Sequence, residues 1–200
     1  MILTEEQIDA LKELINIGVG RASGVLSSMI ECRISLEVPH IRIISLPELN
    51  DEVDRIGHGR LSAVKLGFKG SFAGTAALVF PPDSAAKLIS LLVRDESDTP
   101  DLDADRVGTL NEVGNIVING VMGSVANVLK QHIDYSLPTY VEDSLEHMLT
   151  TGVAGNEIMI LLAHTRFTVE EYMIEGNIIL IFESKSFGSL ILAIDRDLRT

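Results

Sequence analysis

Two segments a fixed distance apart carry residue types that could do chemistry. ELINIGVGRASG, Glu13 to Gly24, places a carboxylate three residues before a carboxamide, and EVGNIVINGVMG, Glu112 to Gly123, repeats that Glu and that Asn 99 positions later. A carboxamide has no useful proton affinity near neutrality, so Asn16 and Asn115 cannot act as general bases. They can donate and accept hydrogen bonds, and so hold a water molecule in place. Glu13 and Glu112 would project beside them toward whatever docks. A Glu and an Asn three apart on an exposed helix face are ordinary when seen once; two copies at equivalent positions weigh against that bland reading.

A helix turns about 100° per residue, which places each residue on a wheel. With Asp9 as reference, Glu13, Asn16, Gly20 and Ser27 lie within roughly 40° of it, while Leu11, Ile15, Ala22, Val25 and Met29 fall on the far, core side. In the second segment Gly108, Glu112, Asn115, Asn119, Gly123 and Ala126 form the matching stripe. Each stripe runs acid, amide, then small residues, with Ser23 and Gly24 beside Gly20 in the first. Glycine inside a helix costs about 1 kcal/mol relative to alanine, so these glycines need a compensating close approach. For Gly18, which points inward, that approach is another helix. For Gly20, Gly24 and Gly123, together with Asp9 and Asn119, it is a partner protein laid on the stripe. GVGRASG also looks like a loose phosphate-binding loop, but it falls inside a helix rather than before one.

Shifting the sequence by 99 on itself aligns Leu3 with Leu102, Leu11 with Leu110, Ile17 with Ile116, Gly24 with Gly123, Ile34 with Ile133 and Pro39 with Pro138, besides the Glu and Asn pairs, without a gap. The chain therefore reads as a single domain over 1–200 made of two internal repeats, approximately 1–95 and 100–200. Helical spacing covers about residues 4–31 and 103–131, opened by Thr4 with Glu5 and Glu6, and by Asp103 with Asp105. Each helix precedes an extended segment ending in proline, ISLEVP and IDYSLP, where Pro39 and Pro138 would end the strand or mark an edge that needs no amide donor.

LSAVKLGF and FAGTAALVF then read as a hairpin turning at Lys69 and Gly70, and PPDSAAKLISLLV as a helix. The second repeat follows with EIMILLAHTRFTVE, YMIEGNIILIFE and a closing helix SFGSLILAIDRDL. The acidic stretch 94–103 is the connector, and 50–60 a surface loop. Hairpins rather than crossovers predict an α+β fold: two pseudo-symmetric α-β-β-β-α halves sharing an antiparallel β-sheet, with the two long motif helices on one face.

The chain is 46% apolar but only 4% aromatic, so aliphatic residues must fill its core. A net charge of -13 argues against nucleic acid or an anionic membrane as partner. No apolar run approaches the roughly 18 residues of a membrane span, and MILTEEQ has no signal-peptide character, so a cytoplasmic location is expected. The single cysteine, Cys32, excludes an intrachain disulfide and reads as a small packed hydrophobe at a helix end. His40, His58, His132, His147 and His164 show neither metal nor triad spacing; they read as surface or hydrogen-bonded residues, and no metal site is expected.

The long-spaced pattern is that of a known family: Asp or Ser, three residues, Glu, two residues, Asn, twenty-two residues, Pro. Asp9, Glu13, Asn16 and Pro39 satisfy it in full; Glu112, Asn115 and Pro138 satisfy the rest, with Gly108 standing where Asp or Ser is expected. The chain resembles the CheC/CheX/FliY family of chemotaxis response-regulator phosphatases, its CheC members above all. That resemblance implies hydrolysis of the aspartyl phosphate on the receiver protein CheY. Glu13 and Glu112 would pair with the receiver's lysine, while Asn16 and Asn115 enter its active site and orient the attacking water. It implies no cofactor of the chain's own, since the Mg2+ belongs to the receiver, and it brings in the receptor deamidase CheD as a second partner. Gly108 implies two sites of unequal activity. A different class stays open: a non-catalytic receiver- or CheD-binding adaptor, or a flagellar-switch component.

Overall fold

The computed structural model describes residues 3–45, 48, 56, 59–93, 104–150 and 158–199. The connector 94–103 and most of the loop 50–60, His58 included, lie outside the described residues. Helix α1 (Glu5–Ile30) opens on a capping box: the Thr4 hydroxyl accepts from the Gln7 amide, and the Gln7 side chain accepts from the Thr4 amide. It closes at Glu31 in a left-handed conformation, with φ 52°. There follow β1 (Ile34–Ser45), β2 (Leu61–Gly70), β3 (Gly74–Phe80), α2 (Pro82–Val93) and α3 (Ala104–Val128). Next come β4 (Ile133–Tyr135), β5 (Thr139–Asp143), a short α4 (Leu145–Thr150), β6 (Ile158–Val169), β7 (Tyr172–Glu183) and α5 (Ser184–Asp197).

All seven strands form one antiparallel sheet in the order β1-β6-β7-β3-β2-β4, with β5 also on β2. Exchanging β1 with β4 and β5, β2 with β6 and β3 with β7, then reading from the other edge, returns the same order. The register obeys the same exchange. Leu36 opposite Phe167 answers to Tyr135 opposite Phe68, and His40 opposite His164 answers to Thr139 opposite Lys65, each residue displaced by 99. The halves are thus interlocked at β3 and β7, which pair with each other in the middle of the sheet.

Alternation along the strands builds two cores. Val64, Leu66, Phe68, Leu78, Phe80, Phe167, Ile178 and Leu180 face α1, α2, α3 and α5. Ala63, Val79, Ile160, Ile179 and Ile181 face the opposite way, under α4 and Ile56. The two long helices lie side by side on the first of these faces. Burying each Leu, Ile or Val of their inner stripes is worth about 1.5–3 kcal/mol, so packing rather than propensity holds glycine-containing helices in place.

The prolines need a correction. Pro39 does not end its strand; β1 runs on to Ser45. The proline sits where the register shifts between Glu37 and His40, in a bulge on an edge strand, so its missing amide costs no ladder bond. Pro138 occupies the matching interruption between β4 and β5, where the Ser136 amide donates to the Gly67 carbonyl and the Gly67 amide donates to Ser136 Oγ. No helix among the described residues is long and apolar enough to cross a membrane.

Candidate active site

Each motif helix is tied down near its start by a polar contact. On α1, Gln7 Nε2 donates to Asp195 Oδ1 of α5 at 2.8 Å; on α3, the buried Arg106 donates to Ser90 Oγ of α2 at 2.9 Å. Midway, the helices cross so closely that glycine is required: a Cβ at Gly18 would lie 2.4 Å from the Val121 Cα, and one at Gly120 would lie 2.8 Å from the Gly18 carbonyl oxygen. This is the inward close approach that the Gly18 position suggests. A Cβ on Gly114 would strike Val64 of β2 at 2.4 Å, which seats α3 on the sheet within the motif itself, between Glu112 and Asn115.

The outer faces are different. Asp9 and Glu13 are exposed, Asn16 is half-buried, and Gly20 and Gly24 are exposed with nothing within 4 Å of where a Cβ would stand. On α3, Glu112 is exposed and Asn115 half-buried; Asn119 and Gly123 follow half-buried, and Gly123 likewise has open space around it. The structure thus brings Asp9, Glu13, Asn16, Gly20 and Gly24 onto one stripe, and Glu112, Asn115, Asn119 and Gly123 onto another. Pro39 and Pro138 stand apart, on the two sheet edges.

Three parts of the expected arrangement differ. Ser23 and Ser27 do not wait for a partner: their hydroxyls donate to the Ile34 carbonyl at 2.5 and 3.1 Å, and Ser27 Oγ accepts from the Ile34 amide, pinning the start of β1 to α1. Val25 and Met29, placed on the core side by the wheel, are 49% and 55% exposed. The core stripe is centred on Leu14, Val19, Ala22 and Leu26, and rotation away from it leaves Val25 and Met29 bordering an open groove with Arg21, Gly24 and Ser28. The third is a hydrogen bond: Asn119 Nδ2 donates to Asn115 Oδ1 at 2.7 Å. Sequence reasoning assigns Asn119 only to the partner face; its four-residue spacing from Asn115 is the signal that could have found the bond.

Chemically, each stripe offers an exposed anionic side chain and, one turn on, a half-buried amide, the second of which, Asn115, is held by Asn119. Among the described residues no group of three or more His, Cys, Asp or Glu side chains could hold a metal ion.

A fold of two helix pairs on an interlocked sheet, bearing two exposed Glu-Asn stripes, has well-defined relatives. The family model of chemotaxis phosphatase CheX matches residues 62–162, about half of the chain and all of α3. The chain belongs to the CheC/CheX/FliY family of chemotaxis phosphatases. It is 27% identical over 156 residues to the CheY-P phosphatase CheC of Bacillus subtilis strain 168, an alignment covering 76% of this chain and 73% of that one. Among solved structures, Thermotoga maritima FliY matches with a TM-score of 0.79 at 18% identity, over 98% of this chain and 100% of that one. The Borrelia burgdorferi CheX in a CheX-CheY-BeF3-Mg2+ complex matches with a TM-score of 0.51 at 21% identity, covering 86% of this chain and 99% of that one.

Proposed function

We propose that this protein accelerates hydrolysis of the aspartyl phosphate on a CheY-like receiver domain. The observation that carries the reading is the repeated pair itself: Glu13 with Asn16 and Glu112 with Asn115, each with its glutamate exposed and its asparagine half-buried, on two helices packed side by side. Glu13 or Glu112 pairs with the receiver's lysine and fixes the docking angle. Asn16 or Asn115 enters the receiver's site and holds a water in line with the phosphorus. Asp9, Gly20, Gly24, Asn119 and Gly123 make up the contact surface, the glycines letting the receiver approach closely.

This is catalysis by positioning. It needs no nucleophile and no base of the protein's own, because an acyl phosphate is already labile and a hundredfold gain corresponds to only about 2.7 kcal/mol. The Mg2+ required is the receiver's, a reading supported by the Mg2+ in the related CheX-CheY-BeF3-Mg2+ complex of Borrelia burgdorferi. The chain is read as one domain, 1–200, duplicated at about 1–95 and 100–200; the matching strand registers 99 residues apart support this. It works in the cytoplasm, where receivers reside, and CheD is a second partner. Decay of phosphorylated receiver, followed with and without the protein, tests the proposal: unchanged decay contradicts it.

A further inference from the structure

Two apolar positions of the repeat are buried in one half and exposed in the other. Leu36 and Val38 of β1 are 6% and 2% exposed, whereas their counterparts 99 residues on, Tyr135 and Leu137, are 38% and 87% exposed. Tyr135 stands opposite Phe68 and Tyr140 opposite Val64, and residues paired directly across two strands point to the same side of the sheet, so both tyrosines lie on the face that carries the long helices. Leu137 falls between them, in the break before Pro138. It is not a loose tip: the Ser136 amide donates to the Gly67 carbonyl at 2.9 Å, the Gly67 amide donates to Ser136 Oγ at 2.8 Å, and the Ser136 hydroxyl donates to the Leu137 carbonyl at 3.2 Å.

The cover that β1 has is missing here. Ser23 and Ser27 draw Ile34 against α1, and α1 lies over β1. The corresponding residues of α3, Met122 and Ala126, have no hydroxyl, and α3 sits inboard over β2, β3 and β5, where Gly114 lets it lie close on Val64. Tyr135, Leu137 and the half-buried Tyr140 are left as an apolar shelf along the outer edge, with two of the three tyrosines of a chain that has no Trp. A single exposed leucine is ordinary. One held in place between two aromatic side chains has the composition of a binding surface.

The shelf flanks one motif and not the other. Helix α3 meets α1 through Gly120 and Val121. At about 100° per residue, Glu112, Asn115 and Asn119 lie about 130–170° round the helix from the middle of that contact, so the second stripe turns away from α1, toward the edge that carries β4 and β5. We propose that Tyr135 and Leu137 are the apolar part of the receiver's seat at the second site alone: a receiver that takes Asn115 into its active site rests the apolar rim of that site on the shelf. The inference rests on the reading of this chain as a receiver phosphatase, and continuity of the shelf with the Glu112-Asn115 stripe selects the occupant. At the first site Leu36 and Val38 lie beneath α1 and offer nothing to a partner. The two sites therefore hold the receiver by different means: the first adds the acid Asp9 to its Glu-Asn pair, and the second, with Gly108 in that place, adds Leu137 and Tyr135.

The test is calorimetric titration of the full chain with a CheY-like receiver held in its activated state by beryllofluoride and Mg2+. A Glu13→Arg background leaves the second site to be read, and a Glu112→Arg background the first. Leu137→Ser should raise the dissociation constant about tenfold or more in the Glu13→Arg background, as for loss of one buried leucine, and leave it unchanged in the Glu112→Arg background. Leu137→Met, which keeps the apolar volume, should bind within about twofold of the parent in both. Neither substitution should move the denaturation midpoint, since the Leu137 side chain lies outside the core. Equal affinity of Leu137→Ser and its parent in the Glu13→Arg background, or an equal loss in both backgrounds, overturns the shelf and leaves the phosphatase reading standing. A receiver that neither binds the unsubstituted chain nor loses its phosphate faster in its presence overturns the phosphatase reading, and the shelf with it. If light scattering shows that the unsubstituted chain self-associates and that Leu137→Ser abolishes this, the shelf seats a second copy of the chain and the proposal is wrong.

Discussion

Asn119 Nδ2 donates a 2.7 Å hydrogen bond to Asn115 Oδ1, and the residue 99 positions before Asn119 is Gly20, which has no side chain to offer Asn16. The two amides are therefore held differently, although their backbones are equivalent. At the second stripe the Asn115 side chain is restrained before any partner arrives; at the first, Gly20 supplies no such restraint. This asymmetry adds to the one at Asp9 and Gly108, and it bears on the very group assigned to the water.

Asn119→Ala, made in an Asn16→Ala background, should lower the remaining receiver-phosphatase rate about two- to tenfold, since a neutral hydrogen bond is worth about 0.5–1.5 kcal/mol. A split of kcat from KM checks the role: loss of orientation lowers kcat, whereas loss of docking surface raises KM. An unaltered rate would leave the Asn119 contact without a part in catalysis.

The glycines separate into two groups. Gly18→Ala forces a methyl group against the Val121 backbone and should destabilise the fold by about 1–3 kcal/mol, read as a lowered denaturation midpoint. Gly20→Ala and Gly24→Ala meet open space and should stabilise their helix by up to about 1 kcal/mol. If the stripe is the receiver's seat, the same two substitutions weaken receiver binding measured by calorimetry. Stabilisation with unchanged affinity would remove Gly20 and Gly24 from the interface.

Much of this division is legible in the sequence, because helical periodicity and the 99-residue repeat are strong local signals. Helical spacing predicts α1 over about 4–31, and the helix spans Glu5–Ile30; the β2-β3 hairpin and the closing helix also lie where their patterns put them. What the sequence conceals depends on tertiary neighbours. Proline reads as a strand end at Pro39, yet the edge position of β1 lets the strand absorb it in a bulge and continue to Ser45. Strand β5 and helix α4 give too short a periodic signal to be read. Ser23 and Ser27 read as partner surface because nothing local shows that β1 returns beneath them. The face bearing Asn16 and Asn115 is the one the wheel predicts, since an amphipathic wheel needs only the helix itself.

The cap of α4 makes stability depend on pH. Asp143 is held below the usual carboxylate range first by its hydrogen bond with His147 and then by the Ser144 amide. A depressed carboxylate contributes stability above its unfolded value, 3.8, and loses that contribution as pH falls through the lower folded value. Asp143→Asn should therefore narrow the stability gap to the parent progressively below about pH 4, when chemical denaturation is followed across pH. A gap that stays constant down to about pH 2 would show that this cap contributes no proton-linked stability.

The central claim is that the two asparagines position water on a receiver's aspartyl phosphate. Its most direct test is the decay of a phosphorylated CheY-like receiver with the parent protein and with the Asn16→Ala/Asn115→Ala double variant, both shown to be folded by circular dichroism. The parent should shorten the phosphate lifetime, and the double variant should return it to the receiver's own rate, a loss of about a hundredfold for a positioning contribution near 2.7 kcal/mol. A folded double variant that accelerates decay as fast as the parent would contradict the account.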